Sequence, residues 1–471
     1  MRLCRLTITM CWLLAMTFSL CFAQTGGRPM GSARGPLVVA NSAQNPAAAQ
    51  NAGTGAAQPT QSLTLQQAEG IALQNHPQVL AATNLASAAH EQVREAKSTY
   101  YPFANGSATG SYAENNTRIG AGGVNSPRVF DRYGNGLSIN QLVTDFGRTH
   151  ELVKSSTQHA QAQDENVAKT REDVLLQVDQ AYFDVLKAQG VLAVAEQTVK
   201  ARQVVSDQVT EMERNRLKSG LDVDFANVDL AQSQLLLIEA QDSLQESFAQ
   251  LSVALGYSDQ RTYQLTDEPL PAAPPADVDA LIQQALRERP ELISERFNVS
   301  SDQSYALAER DLKFPTLTAV GVAGLIPVIA PGGLAPTTLP RSSYAAAGFN
   351  LNIPIFNGHQ FSALRAEADF RTRAEDQYLR DLQNRIVRDV RTAWLNANSG
   401  FQRLSVTQQL LNEANDALNL AQSRYTLGLS SIVELTQAQL NQTQAQIEEV
   451  TAKYDYETAI SNLNFQLGAV R

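Results

Sequence analysis

The chain has 471 residues, a formal net charge of −10 and 18% charged residues. That acidic balance excludes a nucleic-acid binder, which needs a basic face to meet phosphate. Aromatic residues make up only 7%, whereas Ala, Gln, Leu and Asn are abundant, which suits long solvated helices better than one thick core.

The N-terminus has the layout of a secretory signal. Arg2 and Arg5 form a charged start, Trp12 to Met16 are apolar, and Cys21-Phe22-Ala23 places small residues for a cut after Ala23. Residues 1–23 are therefore read as a signal peptide. The alternative is a lipoprotein signal ending at a lipidated Cys21, for which Leu20 is a large neighbour. Cys4, Cys11 and Cys21 all lie in this segment, so disulfides and thiol chemistry are excluded from the mature chain. Residues 24–61 are rich in Ala, Gln, Asn, Gly and Pro without an apolar period, and are read as a disordered leader. No later run reaches the ~18 apolar residues of a transmembrane helix. An exported chain of this kind is periplasmic, secreted, or a β-barrel in an outer membrane.

Ordered structure is predicted from Leu63, with Thr64 as the N-cap of a helix running towards Tyr100. Weak alternation then predicts a strand from Phe103 to Asn115 and another around Gly136 to Asn140, joined by a loop over 116–133. A helical segment follows from Asp145 to Leu217 without a proline. Its ~70 residues would span ~105 Å. Val174, Val178, Ala181, Val185, Ala188, Leu192, Ala195 and Val199 keep a 4-3 spacing, the seam of a coiled coil. Asp145 is read as the N-cap of this helix. A turn at Lys218 to Leu221 leads into a returning helix whose seam runs from Ala226 to Leu251. The proline-rich stretch 269–275 follows.

The same order then repeats, which divides the chain into a first repeat over 62–268 and a second over 276–471. Pro77 returns as Pro290 and Pro102 as Pro315, at one common offset. Asp145 returns as Asn357 and Tyr182 as Trp394, at an offset one position shorter. The tip Gly220-Leu221 is matched to Gly428-Leu429 at a slightly shorter offset again, with both glycines read as left-handed helix ends. Strands are predicted from Pro315 to Gly324 and from Ala345 to Ile353. In the latter, Phe349, Leu351 and Ile353 face one way and Asn350 and Asn352 the other.

Four strands per chain leave two sheet edges, which lipid does not tolerate. Half-polar strands suit a wall between lipid and water. Several chains must then share one barrel, with their coiled-coil hairpins continuing it as a hollow helical cylinder. The fold class is mainly α with a small β part. The rival reading is a periplasmic coiled-coil scaffold or adaptor without a membrane barrel, which has no use for repeated strand pairs feeding long helices.

At this point the chain resembles the outer-membrane efflux proteins of the TolC type, over about Leu63 to Gly468. The resemblance rests on the duplication, on Tyr101-Pro102 and Phe314-Pro315, and on Asp145-Phe146-Gly147-Arg148 and Pro354-Ile355-Phe356-Asn357-Gly358. The tip segment Arg424-Tyr425-Thr426-Leu427-Gly428-Leu429-Ser430 carries it furthest. It implies a homotrimer with a twelve-stranded barrel in outer-membrane lipid and a periplasmic α-helical tunnel. It also implies a passive exit duct for efflux or type I secretion, opened at its tip by a periplasmic adaptor and an inner-membrane pump.

The resemblance further implies that Tyr425 holds the inner hairpin shut and that Glu434 belongs to an acidic ring at the constriction. Without it, Tyr425 reads equally as a packing aromatic and Glu434 as a solvated helix acid. Gln437 stands where a second acid is common. Asp222 and Asp224 are the acids offered by the first tip. Arg216, Gly220, Leu221, Arg424, Gly428, Leu429 and Ser430 are the expected adaptor-docking tips. His76, His90, His150, His159 and His359 show no metal-ligand spacing. Gly120 to Gly123 lacks the setting of a phosphate loop, and no Ser/His/Asp grouping is discernible. No cofactor, metal or catalysis is therefore expected.

Overall fold

The protein is described here by a computed structural model over residues 62–111, 132–325 and 343–469. The signal peptide, the leader 24–61 and nearly all of the loop 116–133 lie outside the described residues.

The first repeat opens on β1 (Ser62–Leu63) and α1 (Leu65–Asn75). Thr64 caps α1 as expected: its Oγ1 accepts from Gln67 N–H (3.3 Å) and the Gln67 side chain accepts from Thr64 N–H (3.2 Å). The helix does not run on to Tyr100. Pro77 has no N–H and disfavours helical backbone before it, so α1 stops and α2 (Pro77–Ser98) starts afresh. His76 serves both ends, and its Nδ1 accepts from Gln78 N–H at 3.3 Å. Strands β2 (Phe103–Ser111) and β3 (Arg132–Thr144) come next.

The long helix is α3 (Arg148–Arg214), and α4 (Gly220–Ala254) returns alongside it. After the short β4 (Gln264–Leu265), the pattern recurs as α5 (Val278–Glu288), α6 (Pro290–Asp311), β5 (Thr316–Leu325), β6 (Ser343–Asn352), α7 (Gln360–Thr426) and α8 (Ile432–Leu467). Helices α3 and α7 each have 67 residues, about 100 Å of rise.

The 4-3 seam is where burial falls. Val174, Val178, Val185 and Ala195 are fully buried in α3, as are Ile386, Val390 and Ala397 in α7. Asp145 does not occupy the N-cap of α3, which is Gly147. Its carboxylate nevertheless accepts from Gly147 N–H (3.3 Å) and Thr149 N–H (2.7 Å), so it serves the same helix end. At α7 the cap position is His359, and Asn357 contributes its backbone carbonyl to Gln360 N–H (3.2 Å).

Each long helix is fastened at mid-height to the chain that runs between the two hairpins. The buried Tyr182 donates to Thr266 O at 2.6 Å, and its counterpart Trp394 donates to Pro275 O at 2.7 Å. Gly256 ends the first returning helix with φ +84°, where a Cβ would lie 3.0 Å from the backbone of Asn75 and His76. Only glycine allows the chain to close against the break before Pro77.

Here too, Asp179 of α3 is buried beside Glu69 of α1 and Ser461 of α8. Two neighbouring carboxyls in one dry site do not both ionise readily, so one keeps its proton to higher pH. Burial, then the Glu69 charge, raises Asp179 from 3.8 to about 7. A raised carboxyl stabilises the fold fully below its unfolded value, and this contribution is lost as pH rises through the folded one. Thermal stability in detergent should therefore fall as pH rises from about 4 to about 7. Asp179→Asn should flatten that slope, and an unchanged slope would contradict a retained proton on Asp179.

The sheet has four strands in the order β2-β3-β5-β6, all antiparallel. The central β3–β5 pair joins the two repeats. Its register, Leu137↔Ala323↔Ala345 and Leu142↔Thr318↔Asn350, decides the faces. Phe349 and Leu351 share one face with Leu317, Ala319, Leu137 and Ile139. Asn350 and Asn352 share the other with Thr316, Thr318, Ser138 and Asn140. Ile353 lies just beyond the end of β6 at Asn352. Among the described residues, no helix is long and apolar enough to cross a membrane.

Candidate functional site

The ends of the helical hairpins share one architecture. At the first tip, Leu217 N–H bonds to Met212 O (2.8 Å) and Arg216 N–H to Glu213 O (2.7 Å). At the second, Leu429 N–H bonds to Arg424 O (2.8 Å) and Gly428 N–H to Tyr425 O (3.1 Å). Both are Schellman closures. They coincide at the same offset that separates the starts of α3 and α7.

This corrects the expected match of Gly220 to Gly428. Gly428 takes φ +74° as expected, but its counterpart is Arg216, which takes φ +58°. An L-residue there costs roughly 1–2 kcal/mol. Gly220 is simply the first residue of α4, behind its cap Ser219.

The corrected register changes the reading of the acids. Asp222 is the counterpart of Glu434, so the first tip does carry an acid at that level. Asp222 closes a capping box, accepting from Ser219 N–H at 3.0 Å while Ser219 Oγ accepts from Asp222 N–H at 3.3 Å. Ser431 Oγ accepts from Glu434 N–H at 3.4 Å, and the Glu434 carboxylate lies 3.1 Å from Arg424 Nη1. This pair is about half exposed and is worth about 0–1 kcal/mol. Asp224 is exposed on α4.

Tyr425 is 2% exposed and packs with Val209, Ala226, Ile432 and Leu435, so it joins all four long helices near the tips. Lys218 Nζ sits 3.9 Å above its ring. Its hydroxyl has no hydrogen-bond partner among the described residues. Burial, with the Asp222 charge adding, pushes the phenol up to about 12, so it stays neutral. Among the described residues the hydroxyl therefore adds no bond, and the ring itself supplies the contact within the protomer. Tyr425→Phe should then change stability by less than about 1 kcal/mol, because it removes an unsatisfied hydroxyl. Tyr425→Ala should cost about 3–5 kcal/mol by leaving a cavity. Thermal unfolding of the two variants separates packing from clamping, and equal losses would restore the clamp.

Leu221 and Leu429 are exposed, as docking residues must be, and Arg216, Arg424, Gly428 and Ser430 surround them at the turns. Two residues escaped the sequence reading. Leu217 and Leu427 are 72% and 74% exposed at the tips; Leu217 is the counterpart of Leu429, which the misplaced register hid, and Leu427 was not counted among the docking residues.

A buried polar group was also missed. Arg202 on α3 is 4% exposed. Its Nε lies 2.8 Å from Asp229 Oδ2 on α4, angled away from a hydrogen bond, and its Nη2 donates to Thr443 Oγ1 on α8 (3.0 Å). Burial opposes both charges, lowering Arg202 and raising Asp229 from their ordinary pKa values, while their mutual attraction works the other way. Continuing the 4-3 spacing past Val199 lands on Arg202, Ser206 and Val209. A cation at a seam position was the available signal.

The sequence profile of the outer membrane efflux protein family matches this chain twice, over residues 70–257 and 281–469. The outer membrane protein TolC of Vibrio cholerae is 25% identical over 410 residues, covering 85% of this chain and 89% of that protein. TolC of Escherichia coli is 22% identical over 389 residues, covering 81% and 78%. The crystal structure of the outer membrane protein VceC from Vibrio cholerae superposes with a TM-score of 0.71 at 18% identity, covering 86% and 96%, a likeness of fold.

Proposed function

Because the chain belongs to the outer membrane efflux protein family, we propose that it is the passive exit duct of a tripartite efflux or type I secretion system. Members of this family are channel proteins rather than enzymes, and the chain resides in the bacterial outer membrane with a long periplasmic helical portion. The proposed assembly is a homotrimer. Its three four-stranded sheets close into one twelve-stranded barrel, and its hairpins form the periplasmic tunnel.

One observation carries this reading. A single sheet has one face that carries Phe349, Leu351, Leu317, Leu137 and Ile139, an opposite face that mixes Asn350, Asn352, Thr316 and Thr318 with Leu142, Val320 and Val322, and two free edges, at β2 and β6. Lipid demands that such edges pair. Joining β6 of one copy to β2 of the next satisfies every strand, with Phe349, Leu351 and the adjoining Ile353 towards lipid and Asn350 and Asn352 towards water. The periplasmic scaffold reading leaves this two-faced sheet unused.

The periplasmic end is the proposed gate. Tyr425 packs the two hairpins together there, Glu434 and its counterpart Asp222 stand one turn inside the tips, and Asp224 lies beside them. Arg216, Gly220, Leu221, Arg424, Gly428, Leu429 and Ser430, joined by Leu217 and Leu427, form the surface offered to a periplasmic adaptor. The adaptor would couple the duct to an inner-membrane pump.

A photo-crosslinking residue at Leu429 should capture the adaptor in intact cells and lose the adduct when the adaptor gene is deleted. Gly428→Val, which forbids the left-handed turn, should insert and assemble but lose that adduct. Undiminished crosslinking in Gly428→Val would remove the tip from docking.

A further inference from the structure

Close to the sheet, α6 and α7 flank an open cleft of about 430 Å³. Gln303 and Arg310 of α6 line it, with Arg365, Asp369, Thr372 and Arg373 of α7. Three arginines thus meet one acid there, in a chain whose net charge is −10.

Their hydrogen-bonding capacity is largely unused. Arg310 donates through Nε to Asp311 at 2.9 Å. Arg365 comes nearest to Asp369 through Nε at 3.7 Å, too far for a hydrogen bond. Arg373 lies 5.6 Å over the Phe370 ring and has no carboxylate partner among the described residues. All three arginines are exposed.

The duplication supplies an internal control. The counterpart cleft lies between α2 and α3, where Val93 and Ala160 are buried together. The second repeat has Ala306 and Thr372 in their places, both only partly buried, and the cleft opens. Arg365 and Arg373 stand where α3 carries Val153 and Gln161. Pairing of these helices therefore does not require the arginines. The second repeat has exchanged an apolar contact for space and positive charge.

The cleft faces outwards. In a helix with a 4-3 seam, positions seven apart share a face. Arg373 lies three heptads before Trp394. Trp394 donates to Pro275 O of the chain between the repeats, and Arg391 beside it lies 3.8 Å from Asp279 of α5. That chain and α5 form an added layer on this face. Inside a tube the layer would plug the duct, so it lies outside, and Arg373 shares its side.

The level is that of lipid headgroups, given the membrane-spanning sheet proposed above, on which this inference rests. Arg310 is the last residue but one of α6, and Arg365 lies five residues, about 8 Å, beyond the start of α7. The headgroup layer extends roughly 5–8 Å beyond the hydrocarbon on each side. Side chains on a helix tilt towards its N-terminus. On α7 that is towards the sheet, and on α6 away from it, so the guanidinium groups converge.

We propose that this cleft binds the phosphate of an anionic phospholipid from the periplasmic leaflet, with Arg310, Arg365 and Arg373 as its donors. Guanidinium forks match phosphate oxygens two at a time. A zwitterionic headgroup brings its own cation against the arginines and should bind less well.

Native mass spectrometry of particles titrated with phosphatidylglycerol in neutral detergent tests the site, and the same spectrum counts the chains. One saturable lipid per chain is expected, in preference to phosphatidylcholine. Arg365→Val with Arg373→Gln gives the cleft the residues of the first repeat, which α3 shows to be compatible with packing. It should assemble like the parent and bind phosphatidylglycerol about tenfold more weakly, since each cation near an anionic surface contributes to attraction. Equal binding by parent and variant, or equal binding of the two lipids by the parent, overturns the proposal. Excess inorganic phosphate at matched ionic strength should leave the lipid in place. Displacement by phosphate would make a soluble anion the ligand and overturn the lipid assignment. Particles of one chain refute the duct reading instead.

Discussion

Asp229→Ala should destabilise the periplasmic helices by about 3–5 kcal/mol, the cost of leaving a buried guanidinium without its counter-ion. Arg202 is 4% exposed, and the Asp229 side chain is 16% exposed. That partial exposure of Asp229 places the expected loss towards the lower end. The ion pair is not a net source of stability in itself, because burial works against both charges. Replacing both partners, as in Arg202→Met with Asp229→Leu, should therefore cost far less than Asp229→Ala alone. Thermal unfolding of the single and double variants in detergent checks this. A single variant within about 0.5 kcal/mol of the parent would mean that the charge escapes to water.

The second large effect lies in the sheet. Leu351→Arg should sharply reduce assembled particles in the outer membrane, whereas Asn350→Arg should be tolerated. The pairings Leu317↔Leu351 and Thr318↔Asn350 put the two residues on opposite faces. A charge facing lipid near the midplane costs roughly 2–4 kcal/mol per chain, against little in a wet lumen. Symmetry applies that cost once per protomer. Equal tolerance of both substitutions would place lipid on the other face.

Much of this fold was legible because its signals are periodic. The 4-3 seam of α3 and α7 appears in sequence as Val, Ala, Ile and Leu at fixed spacing, and the structure buries it there. The strands were legible from alternation, and Pro77 and Pro290 both open helices of 22 residues. Single positions where geometry overrides composition were less legible. Gly220 looked like the partner of Gly428, but a Schellman turn is defined by its hydrogen bonds, and the first tip gives the left-handed position to Arg216. That one mismatch displaced the register by a helical turn, hid the equivalence of Asp222 and Glu434, and hid that of Leu217 and Leu429.

The gate residues show the same limit. Tyr425 was visible, but whether its hydroxyl or its ring does the holding depends on neighbours from three other helices. Arg202 was passed over because a lone arginine among polar helix residues resembles a solvated one. Its burial comes from Asp229 on the returning helix and from Thr443 in the other repeat, contacts that one helix's pattern does not display.

The shared barrel is the centre of the account, and the mass of the particle tests it most directly. Protein extracted from outer membranes in mild detergent should show three chains per particle, with no folded monomer at equilibrium. A stable, folded single chain in the same detergent would mean that the edges at β2 and β6 are satisfied without a partner, and it would contradict the trimeric duct.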